Sequence, residues 1–331
     1  MKAAPSIDIH AHFFPQAYLD LLAEHGAPHG VTCLHDDPAG PVIVSQGKRT
    51  PPLDARYYDL EVRVAAMDAQ GVDVQALSLT APMVYWAPAP LARGLCEAYN
   101  DGCIAAHAAY PERFVGLAIL PMLEPEAALA ELERVAGDPA IRGIYTSTRI
   151  GDRELSDPLF FPVYEALQAR RLPLLLHPVK VVEPARLERF YLTNFIGNPT
   201  ESAIAASHLI FGEVLDRFPT LDVVLPHAGG TFPYLVGRIT HGWGVRAECR
   251  HLATPPDQYL RRFHYDTITH AHPALAYLID LVGADRVMLG SDFCFDMAYE
   301  RPVDVVMQHP GLDDERRAQI LGGNAQRLLN L

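Results

Sequence analysis

Four short segments carry side chains that could hold a metal ion or move a proton. His10 and His12 form a His-x-His pair, His177 ends one apolar run, and Asp292 follows another. The fourth segment, Pro226-His227-Ala228-Gly229-Gly230, joins a histidine to small residues that allow backbone or a ligand to approach closely. Each segment by itself also fits an ordinary structural role. They indicate a common chemistry only if the fold brings them to one place.

Short apolar runs alternate along the chain with longer helical patterns. This alternation predicts parallel strand pairing, and eight such units predict an α/β fold closed into a (β/α)8 TIM barrel. We predict barrel strands at residues 6–10, 72–79, 114–120, 141–145, 174–177, 223–226, 264–267 and 287–290. We predict intervening helices at residues 60–70, 91–110, 124–135, 160–169, 200–218, 232–245 and 273–282. An open doubly wound sheet is the alternative, but no Gly-x-Gly-x-x-Gly sequence follows the first predicted strand.

The 331 residues are expected to form a single domain, because barrels of this type commonly need about 250 residues or more. Two segments interrupt the alternation. A small insertion after the first strand, roughly residues 29–59, is rich in Pro, Gly and Asp, and residues 178–199 follow the fifth predicted strand. Since loops at the carboxyl ends of barrel strands build active sites, both are candidate lids. Two C-terminal helices, 313–321 and 324–329, close the chain.

In a barrel the four polar segments lie at the ends of strands around one axis. Residues two apart on a strand face the same side, so both imidazoles of the His-x-His pair can reach one point. Three neutral imidazoles and a carboxylate suit Zn²⁺, and also Mn²⁺, Fe²⁺ or Co²⁺. We therefore predict one divalent metal, Zn²⁺ as first choice and Mn²⁺ as the alternative, bound by His10, His12, His177 and Asp292. His227 is a further ligand candidate, although an acid–base role is more useful to an enzyme with one metal.

The composition excludes some classes of partner. A formal net charge of −13 argues against nucleic acid, although local arginines can still attract a small anionic substrate. Five cysteines without a Cys-x-x-Cys pair are typical of thiols in a reducing cytoplasm. We expect a cytoplasmic protein with no membrane span and no secretory signal, because long apolar stretches are absent and Asp8-Ile9-His10 follows the first residues directly.

Several segments resemble one family. Asp8-Ile9-His10-Ala11-His12-Phe13-Phe14-Pro15 is similar to the opening of the amidohydrolase-2 group, the branch of the amidohydrolase superfamily that includes aminocarboxymuconate-semialdehyde and hydroxyaryl-carboxylate decarboxylases. Met67-Asp68-Ala69-Gln70-Gly71-Val72-Asp73-Val74-Gln75 is similar to the family's segment leading into strand two. Further similar segments are Leu176-His177-Pro178, His227-Ala228-Gly229-Gly230, Gly237-Arg238 and Arg286-Val287-Met288-Leu289-Gly290-Ser291-Asp292. They follow the family order over nearly the whole chain.

The resemblance implies the same four metal ligands and a catalytic His227. It also implies nonoxidative decarboxylation of an aromatic, heteroaromatic or muconic carboxylic acid, with His227 or Asp292 as the proton donor. Binuclear members of the superfamily bridge two metals with a lysine at the end of strand four, and Arg142-Gly143-Ile144-Tyr145-Thr146 has none. This absence favours a single metal. A metal-dependent hydrolase or hydratase acting on a small carboxylated substrate, such as a lactone, is the alternative function.

The resemblance also suggests residues that bind an anionic carboxylate substrate. Arg49 and Arg238 are the two cationic candidates. In relatives the second arginine reaches the neighbouring subunit's pocket, so we expect a homodimer or higher homo-oligomer in which Arg238 completes the neighbouring site. Phe295 is a candidate for stacking on a planar ring, with core packing as the alternative. His270 is a candidate substrate contact, with a capping or surface role as the alternative.

Overall fold

The computed structural model describes residues 5–331 and contains an eight-stranded parallel sheet at its centre. Its strands, β1 to β8, are Ile7–His12, Val74–Ser78, Phe114–Ala118, Ile141–Ser147, Leu174–His177, Val223–Leu225, Phe263–Asp266 and Val287–Met288. Each strand pairs in parallel with the next one along the chain. The sheet closes where the Ile9 amide donates to the Leu289 carbonyl over 3.0 Å. The predicted (β/α)8 barrel is confirmed.

The predicted strand bounds differ from the observed bounds by at most about two residues, because the apolar runs are a direct consequence of barrel geometry. A barrel strand lies between the filled interior and the surrounding helices, so both of its faces are buried. The run Leu174-Leu175-Leu176 is buried throughout, as is every residue of β1. Continuous apolar runs of this length therefore identify such strands.

Helices surround the barrel. The α-helices α1 to α12 are Gln16–His25, Leu60–Gln70, Ala89–Ala109, Pro125–Val135, Phe161–Arg170, Asn198–Phe211, Val214–Arg217, Phe232–Val245, His272–Val282, Pro302–Met307, Asp314–Ala318 and Asn324–Leu329. The bounds of α2 match the prediction because a capping residue lies at each end of the helix. The Asp59 side chain caps its start by accepting from the amides of Glu61 and Val62, and Gly71 ends it at φ 75°.

The predicted helix 200–218 is wrong as a continuous element. It ends at Phe211 and resumes as the short α7, because Glu213 adopts a left-handed φ of 56°. Tight packing accompanies this break: a Cβ on Gly212 would lie 2.3 Å from Ser156 Cβ. At the C-terminus, a π-helical turn, Gln319–Gly323, joins α11 to α12 where two separate helices were predicted. No bounds were predicted for helices α1 and α10.

The two segments that interrupt the alternation have different structures. Within residues 29–59, three antiparallel strands, Val31–Leu34, Val42–Ser45 and Lys48–Arg49, form a small sheet. Residues 178–199 contain a 3₁₀ turn, a π-helical turn and the first two residues of α6, and expose the aromatic rings of Phe190 and Phe195. Their role as lids stays a prediction. Across residues 5–331, every helix is too short or too polar to cross a bilayer.

The buried Arg63 of α2 supports the carboxyl end of β1. Its Nη1 donates to the carbonyl oxygens of His12 and Arg56, over 2.7 and 2.9 Å, and its Nε donates to Gln75 Oε1 over 2.8 Å. These charge-assisted hydrogen bonds offset part of the cost of burying a guanidinium. Arg63 thereby ties α2 to the strand that carries the His-x-His pair.

The turn after β6 packs closely on the start of α6. Gly230 has φ 59° and ψ −126°, a region of backbone space that is open essentially to glycine alone. A Cβ at this position would lie 2.1 Å from the Pro199 carbonyl oxygen. The second glycine of the Gly-Gly pair is therefore required by both backbone conformation and space.

We expect Gly230→Ala to lower the free energy of unfolding by more than about 2 kcal/mol, through backbone strain and the clash with Pro199. Urea denaturation monitored by circular dichroism measures this loss. Gly237→Ala is the matched control, since Gly237 lies inside α8 with nothing within 4 Å of its added Cβ. The control should gain about 0.5–1 kcal/mol. Equal stabilities for the two variants would contradict the close-packing argument.

Candidate metal centre and active site

The barrel brings together all five residues that the sequence suggested for metal binding and catalysis. His10 and His12 lie on β1, His177 ends β5, His227 follows β6 by two residues, and Asp292 follows β8 by four. All five therefore lie at the carboxyl end of the barrel, as the strand pattern predicts.

Asp292 is the common neighbour of the imidazoles. Its Oδ1 lies 3.0 Å from His12 Nε2 and 3.4 Å from His10 Nε2, and its Oδ2 lies 3.8 Å from His227 Nε2. The rings of His12 and His177 pack edge to face, with their centres 4.7 Å apart. The side chain of Asp292 is only 6% exposed, so these contacts take the place of water.

The geometry fits a single divalent cation. Ligand atoms of His10, His177, His227 and Asp292 all lie within 4.8 Å of one another. His12 is outside that set of four, although its Nε2 touches the shared carboxylate. Buried ring nitrogens of His10, His177 and His227 have no hydrogen-bond partner among the described residues. These nitrogens are His10 Nε2, His177 Nδ1 and His227 Nδ1. Because unpartnered buried nitrogens are costly, His10 Nε2, which lies 3.4 Å from Asp292, favours a site that accepts a metal.

Burial and neighbouring charges set the protonation of the cluster. Burial lowers the pKa of His12 to about 4 and holds the pKa of His177 well below its usual range. Burial also opposes the charged form of His10, but the hydrogen bond with Asp266 and the nearby carboxylate of Asp292 raise the pKa of that ring to about 10. The pKa of Asp292 is well below normal because its histidine contacts outweigh its burial. A proton on His10 therefore competes with a metal for this cluster.

The turn Pro226-His227-Ala228-Gly229-Gly230 directs His227 toward the cluster. His227 and Ala228 adopt left-handed φ values of 52° and 56°. Their amides donate to the carboxylate of Asp266, the last residue of β7, over 2.9 and 2.7 Å. Sequence reasoning missed Asp266, which also lies 2.8 Å from His10 Nδ1. Its position at the carboxyl end of a predicted strand was the available signal.

A cavity of about 500 Å³ opens beside the cluster. His227 and Asp292 line it, whereas His10, His12 and His177 do not. Three aromatic residues from different segments, Phe195, Tyr234 and Tyr277, line it together with apolar residues such as Pro233 and Leu278. The cavity can therefore hold a small planar molecule against the two polar groups that face it.

The predicted substrate-binding residues occupy different positions. His270 lines the cavity, and its ring packs on Tyr299 with the ring centres 4.9 Å apart. Phe295 does not line it and packs edge to face on His12, with the ring centres 5.2 Å apart. Arg49 is exposed on the insertion sheet, and Arg238 is exposed on α8; neither lines the cavity. Their roles in binding stay predictions.

Comparison with known proteins gives one consistent picture. A family model described as amidohydrolase matches residues 7–331. The 2-amino-3-carboxymuconate-6-semialdehyde decarboxylase of Dictyostelium discoideum is 31% identical over 329 residues, which cover 98% of this chain and 91% of the relative. The gamma-resorcylate decarboxylase of a Polaromonas species is 29% identical over 304 residues, which cover 86% of this chain and 91% of the relative.

The fold comparison agrees. The crystal structure of 5-carboxyvanillate decarboxylase from Sphingomonas paucimobilis superposes with a TM-score of 0.87 at 28% identity, covering 99% of this chain and 100% of the other. These relatives share one reaction class, and the prediction that the chain is a carboxy-lyase is confirmed. The chain belongs to the amidohydrolase family.

Proposed function

We propose that this enzyme removes a carboxyl group as CO₂, without an oxidant, from a small planar aromatic, heteroaromatic or muconic acid. The observation that carries the proposal is a cavity of about 500 Å³ that is lined by Phe195, Tyr234 and Tyr277 and also by two groups of the candidate metal centre, His227 and Asp292. The named substrates of the relatives, a carboxymuconate semialdehyde, a resorcylate and a carboxyvanillate, are acids that fit this description.

His10, His12, His177 and Asp292 are the proposed metal ligands, with Zn²⁺ as the first candidate and Mn²⁺ as the second. His227 also lies close enough to the other ligands to bind a metal in place of His12. His12 is fully buried beside Asp292, whereas His227 lines the cavity, where a free imidazole can reach a substrate. When bound, the cation supplies the positive charge that holds the leaving carboxylate and a neighbouring oxygen.

His227 is the proposed proton donor. Direct loss of CO₂ from an aromatic ring would leave a carbanion in the ring plane, where the π system cannot stabilise it. Protonation of the carboxylate-bearing carbon avoids this state. The carbon–carbon bond then breaks, its electron pair returns to the ring, and CO₂ leaves. Asp292 is the less favourable donor because its carboxylate is already engaged by His10 and His12.

The reaction is tested by incubating metal-loaded protein with hydroxybenzoates, hydroxypicolinates and aminomuconates. We expect CO₂ release, detected in a sealed cell, together with formation of the decarboxylated product. A control treated with a chelator should lose the activity and recover it when Zn²⁺ or Mn²⁺ is restored. A metal-loaded protein that opens lactones and never evolves CO₂ would support the hydrolase alternative and overturn this proposal.

Two histidine substitutions should separate the proposed roles. His177→Ala should lose metal and activity together, measured by elemental analysis and by turnover. His227→Asn should keep its metal while kcat falls by roughly 10²–10⁴-fold, the usual contribution of a general acid. His25→Asn, at an exposed histidine that ends α1, is the control and should retain both properties. A wild-type rate for His227→Asn would remove that residue from the mechanism.

A second copy of the chain is the proposed source of a cation for the substrate. Among residues 5–331 no lysine or arginine lines the cavity, although the proposed substrate is an anion and the chain carries a net charge of −13. Arg238 is exposed one helical turn beyond Tyr234, which lines the cavity and is itself 81% exposed. Phe195, which lines the same cavity, is 51% exposed, and exposed apolar rings of this kind are typical of an interface.

Mixing two inactive variants tests this arrangement. If Arg238 acts in the neighbouring site, a mixed dimer of His227→Asn and Arg238→Ala retains one site with an intact histidine and an intact arginine. Activity should therefore reappear after the two purified variants are unfolded and refolded together, but not in either variant alone. Active individual variants, or a refolded mixture without activity, would contradict a shared site, provided that wild-type protein regains activity after the same treatment.

A further inference from the structure

Asp266 lies beneath both the metal centre and the turn that carries His227. The residue is 1% exposed. Its Oδ2 lies 2.8 Å from His10 Nδ1 and accepts from the His227 amide over 2.9 Å. Its Oδ1 accepts from the amides of Ala228 and Ile268, over 2.7 and 3.0 Å. Four ring or backbone nitrogens from three segments therefore converge on one carboxylate.

This contact set determines which nitrogen of His10 is free for a metal. A carboxylate accepts hydrogen bonds and cannot donate them, so His10 Nδ1 must carry a hydrogen. The neutral ring then keeps its lone pair on Nε2, the atom 3.4 Å from Asp292 and without a hydrogen-bond partner among the described residues. A partner of this kind commonly fixes the tautomer and orientation of a metal-binding histidine.

The same carboxylate stabilises an unfavourable backbone conformation. Left-handed φ values at two successive non-glycine residues, His227 and Ala228, cost roughly 1–3 kcal/mol each. Both amides of that pair donate to Asp266, which offsets part of this cost. The direction of the His227 side chain toward the cavity therefore depends on the same group that orients His10.

We propose that Asp266 is a positioning residue that couples the metal site to the proton donor. It holds His10 with Nε2 toward the metal centre, and it holds the strained turn from which His227 reaches the substrate. The inference rests on the roles of His10 and His227 in the proposed function. It adds that a substitution at Asp266 affects metal binding by His10 and proton donation by His227 together.

Asp266→Asn is the informative substitution, because it keeps the shape and replaces one acceptor oxygen by a donor NH₂. If the NH₂ faces Ala228 and Ile268, two backbone donors lose their acceptor. If it faces His10 and His227, one backbone donor loses its acceptor and His10 can adapt by moving its hydrogen to Nε2. The second orientation leaves fewer unsatisfied groups and removes the lone pair that the metal needs.

We expect Asp266→Asn to bind Zn²⁺ about 10–100-fold more weakly, measured by competition with a chromophoric chelator. At saturating metal its kcat should still fall while KM changes little, because the proton donor and not the cavity is disturbed. In a His227→Asn background the same substitution should lower kcat little further, since it acts on turnover through that histidine. Additive losses in kcat would overturn the coupling.

Asp222→Asn is the matched control. Asp222 precedes β6 at the opposite end of the barrel, and its Oδ1 lies 3.4 Å from the Nε2 of His264, the histidine of β7. The control makes the same chemical change in a carboxylate–histidine pair away from the site. It should keep wild-type zinc affinity and wild-type kcat, and a loss equal to that of Asp266→Asn would show that the effect is not specific.

Nitrogen-15 NMR of histidine-labelled, zinc-loaded wild-type protein tests the tautomer without any substitution at Asp266, with His10→Asn used to assign the signal. We expect the His10 ring to carry its hydrogen on Nδ1 and to bind zinc through Nε2. The opposite tautomer would overturn the proposal even if Asp266→Asn failed to fold. Failure to release CO₂ from any acid tested would instead overturn the proposed function and leave the zinc affinity and the NMR result standing.

Discussion

The carboxylate of Asp292, buried among imidazoles, is the interaction on which the rest of the site depends. Its position follows from barrel closure, because the Asp292 amide donates to the His10 carbonyl over 2.9 Å. A buried carboxylate is costly unless donors or a cation surround it. Here histidines from β1 and from the turn after β6 approach its two oxygens. The closure of the barrel therefore also places a negatively charged carboxylate among the histidines, where a metal centre can form.

Backbone strain is concentrated at the same end of the barrel. His227, Ala228, His270 and Asp292 all have left-handed φ values, and they follow β6, β7 and β8. Each conformation is held by a specific hydrogen bond or bonds. The Asp266 carboxylate accepts from the first two amides, Tyr299 Oη accepts from the third, and the His10 carbonyl accepts from the last. These bonds direct side chains to places that regular strand or helix geometry would not reach.

The residues of the candidate metal centre differ in whether they line the cavity. His10, His12 and His177 are buried and do not line the cavity, whereas His227 and Asp292 line it and also contact the histidine cluster. The walls include three aromatic residues, but they provide no lysine or arginine from residues 5–331. In a chain of net charge −13, this absence is the reason for proposing a cation from outside the cavity.

The sequence by itself determined the strand order and identified candidate residues for a metal centre, because buried barrel strands are continuous apolar runs and their polar ends share one face of the barrel. His10, His12, His177, His227 and Asp292 could therefore be named without coordinates. It did not predict the break at Gly212 and Glu213, which depends on packing against Ser156, a residue more than fifty positions earlier. Nor did it predict Asp266, whose partners lie on β1 and after β6. Only the tertiary structure decided which carboxylate supports which histidine, because hydrogen bonds between distant strands leave no periodic pattern in the chain.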